Sequence, residues 1–549
     1  MLPDVEGYDA LVRDFRWNVP ARYNIAEACC DRWAAATPDA PALIQWTDHG
    51  VRSVSFAQLR GRADRLANAL AGLGVRPGER VGILLPQCLE AAEAHLAVYK
   101  LGAVAIPLFT LFGPDALAYR LADSAAVALI GTAEGLATVD TVRDQVPDLR
   151  HRIAVQGEAP GAHGYEALLA RARDRFQTAD TAADDPAVVI YTSGTTGNPK
   201  GALHAHRVLL GHLPGVEFPH ELFPKPGDRF WTPADWAWIG GLLDVLLPSL
   251  AHGVPVVAHR FAKFDPEQAL ALMAATEVRN TFMPPTALKM LRQVDRPAER
   301  FGVRLRSIGS GGETLGAELL DWGRGAFGLT INEFYGQTEC NLVVGNCAGQ
   351  MAVRPGAMGR PIPGHTVAVL DADGQPLPPG QEGRVAVKAP DPVMFLEYLN
   401  KPQATRAKFT GDEGGGDWLL TGDTATADAD GYLWFVGRDD DVITSAGYRI
   451  GPGEVEDCLG AHPAVAMSAV VGVPDELRGQ RVKAFVVLNP GHQGSDALTR
   501  QLQDHVKTKL AAHEYPREIA YVPALPLTAT GKIKRKDLRE QGAEACPAG

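Results

Sequence analysis

The segment Tyr191-Thr-Ser-Gly-Thr-Thr-Gly-Asn-Pro-Lys-Gly201 concentrates the residue types that hold phosphate oxygens. Its glycines leave backbone N–H groups free to point at an anion, and Ser193, Thr195 and Thr196 add hydroxyl donors, so the run predicts a phosphate cradle. It is not a Walker A loop, because no Gly-Lys-Ser/Thr triplet closes it at the required spacing. The competing reading, a flexible surface loop, gives no reason for so many fixed residue types in a row. Three other signals are weaker. His204 and His206 suggest a metal pair, but 203–210 reads as a helix, on which residues two apart do not face one another. Gly309-x-Gly311 hints at a dinucleotide fingerprint, yet Thr314 stands where the third glycine belongs. Cys340, beside Glu339, reads as a small buried residue rather than a nucleophile.

These residues need a scaffold, and helical and strand patterns alternate through most of the first 435 residues, the mark of parallel sheets covered by helices. Ser55 with Gln58 forms a capping box, Phe56, Leu59, Leu66, Leu70 and Leu73 recur at helical spacing, Gly74 closes the helix, and the strand 81–85 follows. Further strands are expected at 187–191 before the glycine-rich loop, 303–308 before Gly309–Gly312, and 329–333 before Tyr335. From Arg360 to about Phe435 the pattern shortens to period-2 strands at 367–370, 383–387 and 432–436, separated by Asp-Gly and Pro-Gly turns, which predicts a small β subdomain. Gly437-Arg438 and the acidic triplet Asp439-Asp440-Asp441 then precede a mixed α/β tail that ends in the basic cluster Lys532-Ile-Lys-Arg-Lys536.

Composition sets the bounds. A chain of 549 residues exceeds one core and splits into domains. With 46% hydrophobic and 21% charged residues it is globular rather than disordered or fibrous. A net charge of −12 gives no basic footprint for nucleic acid. Seven cysteines without C-x-x-C spacing indicate neither a disulfide framework nor a thiolate zinc site, and fit a reducing cytoplasm. The N-terminus lacks an apolar signal segment, and the most apolar stretches, 97–112 and 242–258, are broken by Lys100, Pro107, Asp244, Pro248 and His252, so no membrane span is expected.

The 191–201 segment resembles the phosphate-binding signature of the adenylate-forming enzymes: acyl-CoA synthetases, the adenylation domains of peptide synthetases, and luciferases. Five more segments resemble that family in order: Gly311-Gly-Glu-Thr-Leu315, Tyr335-Gly-Gln-Thr-Glu339, Leu420-Thr-Gly-Asp423, the stretch from Gly437 through Gly447 to Ile450, and Thr530-Gly-Lys532. The resemblance is to short- and medium-chain acyl-CoA synthetases above all. It implies an N-terminal domain over 1–437, with two helix-covered, mostly parallel sheets and the β subdomain, and a small mobile α+β domain over 438–549 with its hinge near Asp440.

It also implies roles. Thr192, Ser193, Gly194, Thr195, Thr196, Gly197 and Lys200 would hold the phosphates of ATP. Gly312, Glu313, Thr314, Glu333, Tyr335 and Gln337 would surround the nucleotide, with Glu313 and Tyr335 framing adenine. Asp423 and Arg438 would take the ribose hydroxyls, with Phe435 near them, and Arg449 would pair with the nucleotide phosphate. Thr338 would donate to the α-phosphate and Glu339 would supply a ligand to Mg2+, which accepts one or two carboxylates plus phosphate oxygens. Joining a carboxylate to the α-phosphorus brings like charges together, and Lys532 is the cation that would screen them. The loop at Gly447 would line the passage for CoA, the simpler acceptor since only seventeen residues follow Lys532.

For the acid, the resemblance puts the pocket between 231–243, including Trp238, and the flanks of 335–339. Enzymes restricted to acetate or propionate carry tryptophan where this chain has Gly336, which implies a deeper cavity here. The stretch carries no cation for a second carboxylate. Short- to medium-chain monocarboxylic acids follow, branched and cyclic ones included. The alternatives are an aryl-CoA ligase or an enzyme loading a carrier protein, a reading that Asp235 keeps open. The other classes carried are a binding module that has lost catalysis and an oxygenase of luciferase type.

Overall fold

The capping box read at Ser55 starts the helix Phe56–Gly72. The Gln58 N–H donates to Ser55 Oγ at 3.3 Å, and the Ser55 N–H donates back to Gln58 Oε1 at 2.9 Å. Phe56, Leu59, Leu66 and Leu70 are buried, Gly74 turns the chain at φ +88°, and the strand Arg80–Leu84 follows. This strand–helix alternation recurs through the computed structural model, which describes residues 1–47, 49–192, 199–411, 416–438, 441–445, 448–475, 478–509, 514–527 and 533–544. They group into two compact units, 1–367 with 387–419, and 368–386 with 420–549.

Two sheets build the first unit. Among the described residues one has eight strands, with Val104–Pro107, Arg80–Leu84, Ala126–Thr132 and His151–Val155 parallel at its centre and Pro186–Thr192 parallel beside Val104–Pro107. The other has nine, in which Asn332–Gln337, Ser307–Ser310, Asn280–Phe282, Phe230–Trp231, Val256–Val257 and Pro41–Thr47 run parallel, with antiparallel strands at both margins. A shared core joins the inner faces through the helices Phe56–Gly72, Leu89–Lys100 and Val208–Glu217. Every residue of Leu89–Lys100 except Glu90 is buried, as a helix packed on all sides requires, and Lys100 is compensated by Asp31 and by Asp64 at 2.9 Å. The outer faces are covered by Pro266–Ala275, Pro285–Leu291 and Ala317–Phe327 on one sheet and Pro114–Asp123 and Ala133–Asp140 on the other.

One expectation is corrected. Residues 203–205 belong to a strand, Lys200–Ala205, which returns antiparallel along Pro186–Thr192; the helix begins only at Val208. The glycine-rich segment therefore connects two strands of a hairpin instead of leading into a helix. The strands expected at 303–308 and 329–333 are Ser307–Ser310 and Asn332–Gln337.

The second unit contains the β subdomain and the C-terminal tail. Val367–Leu370, Glu382–Lys388, Trp418–Ala427 and Leu433–Arg438 follow one another across a four-stranded sheet. A five-stranded sheet is centred on Gly479–Leu488, antiparallel to Val465–Asp475 and parallel to Glu518–Tyr521. Helices Pro452–Gly460 and Asp496–Lys509 share one core with it, and Leu538 of Arg535–Glu544 joins a second. Among the described residues, no helix is long and apolar enough to cross a membrane.

Candidate active site

In parallel sheets ligands bind beyond the carboxyl ends of the strands, and three such ends carry the candidate residues of the first unit. The strand Asn332–Gln337 turns back antiparallel into Cys340–Gly345, with Gln337 opposite Cys340, so Thr338 and Glu339 form the tip of this hairpin. Glu339 is only 7% exposed. The Tyr398 hydroxyl donates to its Oε1, and its backbone carbonyl accepts from the Phe395 N–H at 2.9 Å. No other described residue donates to this carboxylate, which leaves Oε2 for a hard cation. One carboxylate oxygen is the donor set that Mg2+ accepts alongside phosphate oxygens, so the residues fit that ion. Cys340 is fully buried, as the sequence implied.

The strand Ser307–Ser310 ends in the turn 311–315. Glu333 accepts from the Leu315 N–H at 3.3 Å, and Glu313 accepts from Thr286 Oγ1 at 3.2 Å, so both carboxylates tie this turn to its surroundings. Gly312 has φ +92°, open to glycine, and a Cβ there would lie 3.6 Å from the Trp238 ring. Trp238 also packs over Gly240 and at 5.7 Å between centroids from Phe282, which is 5.1 Å from Phe334. The expected pocket wall and adenine turn thus meet at Trp238.

Gly336 also meets a backbone constraint that the sequence did not suggest. A Cβ built there would lie 2.2 Å from the Leu342 nitrogen and 2.7 Å from Asn341 Cα, both in the hairpin's other strand. The register shifts between Tyr335 and Gln337, and Leu342 has φ +55°. The missing side chain admits the partner backbone at this point. Beside it, Asn341 donates to Asp244, a 3% exposed carboxyl in the helical run 239–251, which widens to a π turn at Leu242–Leu246. Burial pushes the Asp244 carboxyl well above the usual range, and the Asn341 contact partly opposes this. Asp235 is also pushed up by burial; it lies 3.8 Å from Arg260.

At the third end, Thr192 and Lys200 face each other as the last described pair before the phosphate segment. Ser193, Gly194, Thr195, Thr196 and Gly197 lie outside the described residues. Tyr191 anchors the approach by donating to Asp123 at 2.8 Å. His204 and His206 flank the strand's end; burial pushes them down to about 3 and about 4, so both are neutral imidazoles.

In the second unit, Asp423 and Arg438 are register partners on neighbouring strands, with Arg438 Nη1 3.3 Å from Asp423 Oδ1. Thr421 Oγ1 accepts from the Asp423 N–H at 3.1 Å, and Thr424 Oγ1 donates to the Gly437 carbonyl at 3.1 Å. Phe435 lies on the same strand as Arg438, opposite Ala425. Asp441 is held by Arg539 at 3.1 Å, and Arg535 donates to Glu456 at 2.7 Å, so part of the basic tail is structural. Leu527 pairs with Ile533, and the Lys534 N–H donates to Pro526, which ties both flanks of the 528–532 segment. Asp440, Gly447 and Lys532 lie outside the described residues. Arg449 is on the strand Tyr448–Ile450.

Sequence reasoning missed three contacts. Tyr398 is 59 residues from Glu339, and no local pattern links them. Lys408 donates to Gln337 Oε1 at 2.9 Å across 71 residues. In the sequence Asp244 is only an interruption of an apolar stretch, although an acid in such a stretch is itself a signal.

Two family descriptions match the chain: AMP-binding enzyme over residues 30–399, and AMP-binding enzyme C-terminal domain over 454–532. The chain is 36% identical over 540 residues to the human mitochondrial acyl-coenzyme A synthetase ACSM4, covering 95% of this chain and 91% of that protein. It is 35% identical to the uncharacterized acyl-CoA ligase YtcI of Bacillus subtilis (strain 168), covering 95% and 96%. Among solved structures, the anthranilate CoA ligase AuaEII in complex with anthranoyl-AMP superposes with a TM-score of 0.87 at 31% identity, covering 96% of this chain and 98% of that one. With motifs, fold and whole-length similarity in agreement, this chain belongs to the AMP-binding enzyme family and, within it, to the acyl-CoA synthetases.

Proposed function

We propose that this enzyme activates a monocarboxylic acid of short to medium length, linear, branched or cyclic, as its acyl-adenylate, and then transfers the acyl group to CoA. The observation that carries the reading is the Glu339 hairpin, a nearly buried carboxylate oriented by a neutral phenol. In the first step the acid's carboxylate attacks the α-phosphorus of ATP and pyrophosphate leaves. Thr338 is the donor to the α-phosphate, and Lys532 brings the cation that screens the two anions. Mg2+ bound at Glu339 supplies charge neutralisation for the phosphates. Asp423 and Arg438 orient the ribose. In the second step the CoA thiol displaces AMP, and a turn of residues 438–549 about Asp440 exchanges Lys532 for the Gly447 loop.

The choice of acid rests on the apolar wall around Trp238, on the absence of a cation in the stretch 231–243, and on Arg260 being paired with Asp235 at 3.8 Å. A second reading, an aryl acid, is favoured by the Trp238–Phe282–Phe334 ring series and by the anthranilate ligase's structural likeness. A panel of linear, branched, aryl and dicarboxylic acids from two to ten carbons, scored by kcat/KM for AMP formation with CoA, tests both. A clear optimum among aliphatic acids of about four to eight carbons supports the first reading. An optimum at benzoate-type acids replaces it with the second, and activity on dicarboxylic acids alone rejects both.

A further inference from the structure

We propose that Tyr398 is a positioning residue that fixes the Glu339 carboxylate for the divalent cation and ties the cation ligand to the strand Lys200–Ala205. The proposal rests on Glu339 being that ligand. Tyr398 belongs to the short strand Glu397–Tyr398, which pairs antiparallel with Lys200–Ala205, the strand that leaves the phosphate segment; its partner is Ala202. Its backbone is therefore part of the eight-stranded sheet, whereas its hydroxyl donates to a residue on the hairpin of the nine-stranded one. The ring packs against Phe395 at 4.9 Å between centroids, and the Lys200 ammonium stands 5.1 Å from the ring centroid. Phe395 in turn donates its N–H to the Glu339 carbonyl at 2.9 Å. One segment, 395–398, thus grips both the backbone and the side chain of Glu339, while Lys200 of the neighbouring strand stands over its Tyr398 ring.

The chemistry of the donor is the second strand of the argument. A carboxylate 7% exposed is costly to hold without a partner. An arginine or lysine in contact would satisfy it and also cancel the charge that attracts the cation. A phenol donates one hydrogen bond and carries no charge. It directs Oε1, leaves Oε2 and the full negative charge to the metal, and restricts rotation of the carboxylate. Outer partners of this kind are worth about 10–100-fold in metal affinity.

The test is the ratio of two dissociation constants for ATP, measured by calorimetry on the full-length enzyme in EDTA and in saturating Mg2+. Tyr398→Phe keeps the ring and removes the donor. It should lower the Mg2+-dependent tightening by about tenfold or more, with ATP binding in EDTA within about twofold of wild type. Thioester formation from supplied acyl-adenylate, which needs no phosphate-bound cation, should be unchanged. Phe395→Leu disturbs the same packing without touching the donor and should leave the ratio alone. If Tyr398→Phe matches wild type while Glu339→Gln loses the tightening, Glu339 remains the ligand and Tyr398 is not its positioner. If Glu339→Gln keeps the tightening, the ligand assignment itself fails. An equal drop from Phe395→Leu would mean that packing, not the phenol, sets the geometry.

Discussion

Replacing Gly336 by alanine adds one carbon at a place with no room for it. The new Cβ would lie 2.2 Å from the Leu342 nitrogen, 2.7 Å from Asn341 Cα and 2.8 Å from the Asn341 carbonyl carbon. All three are backbone atoms, so no rotamer change relieves the contact, and ordinary separation of 3.4 Å requires the two strands to part by more than 1 Å. Overpacking of this kind costs about 1–3 kcal/mol. At about 2.1 cal/mol/K per residue over the roughly 400 residues of the first unit, that is a fall in Tm of only about 1–4 °C. The effect on catalysis should be larger, because Thr338 and Glu339 sit at the tip of the displaced hairpin, and a shift near 1 Å can cost about 10²-fold. Pyrophosphate release measured with the acid panel should therefore fall for every acid alike. Gly336→Trp should behave as a more damaged version, poorly folded and inactive with acetate as well. If Gly336→Trp instead keeps its Tm and acetate activity and loses only the longer acids, the glycine is a pocket floor and the hairpin argument is wrong.

Lys532→Ala should lower acyl-adenylate formation by about 10²–10³ and leave thioester formation from supplied acyl-adenylate nearly intact; equal losses in both half-reactions would contradict the division of labour. Asp423→Asn keeps the shape and removes the charge, so ATP affinity should drop by about tenfold, read by calorimetry, and unchanged affinity would remove Asp423 from the sugar site. Burial raises the folded-state pKa of Asp244 above its unfolded value, so the native state binds the extra proton and its stability falls as pH rises from about 4 upward. Asp244→Asn cannot titrate, and its Tm relative to wild type should therefore improve from pH 5 to pH 8; the opposite trend would show that the carboxylate is well compensated. His95, His204 and His220 are pushed down to about 3 and His206 and His212 to about 4 by burial, so the unfolded chain binds more protons below about pH 6.5. The urea midpoint should fall steadily from pH 7.5 to pH 5, and a flat profile would mean that these imidazoles are not buried neutral.

What the sequence revealed was local. The Ser55–Gln58 box needs only four consecutive residues, and the strand at 367–370 is bounded by its own turns. Features set by distant partners stayed hidden. Residues 203–205 read as the start of a helix, but pairing with Pro186–Thr192 takes them into a sheet. Gly336 carried a motif-level meaning, whereas its close contact with Leu342, across a hairpin whose register shifts beside it, has no local signal. Tyr398 had no signal at all, since it is made relevant by a strand pairing with Ala202 and a hydroxyl that reaches the other sheet. The motifs marked where chemistry is concentrated; the residues that aim it come from topology.

The coupling of Asp423 to Arg438 bears on turnover. Asp423 is 5% exposed at its side chain and Arg438 is 41% exposed, so the carboxylate already has a counter-charge in the absence of any sugar. If the sugar binds here as proposed, a departing nucleotide would leave the Asp423 carboxylate still paired. On the proposed ribose site, Arg438 would hold the carboxylate between turnovers, and an arriving sugar would join an existing ion pair instead of meeting a bare charge.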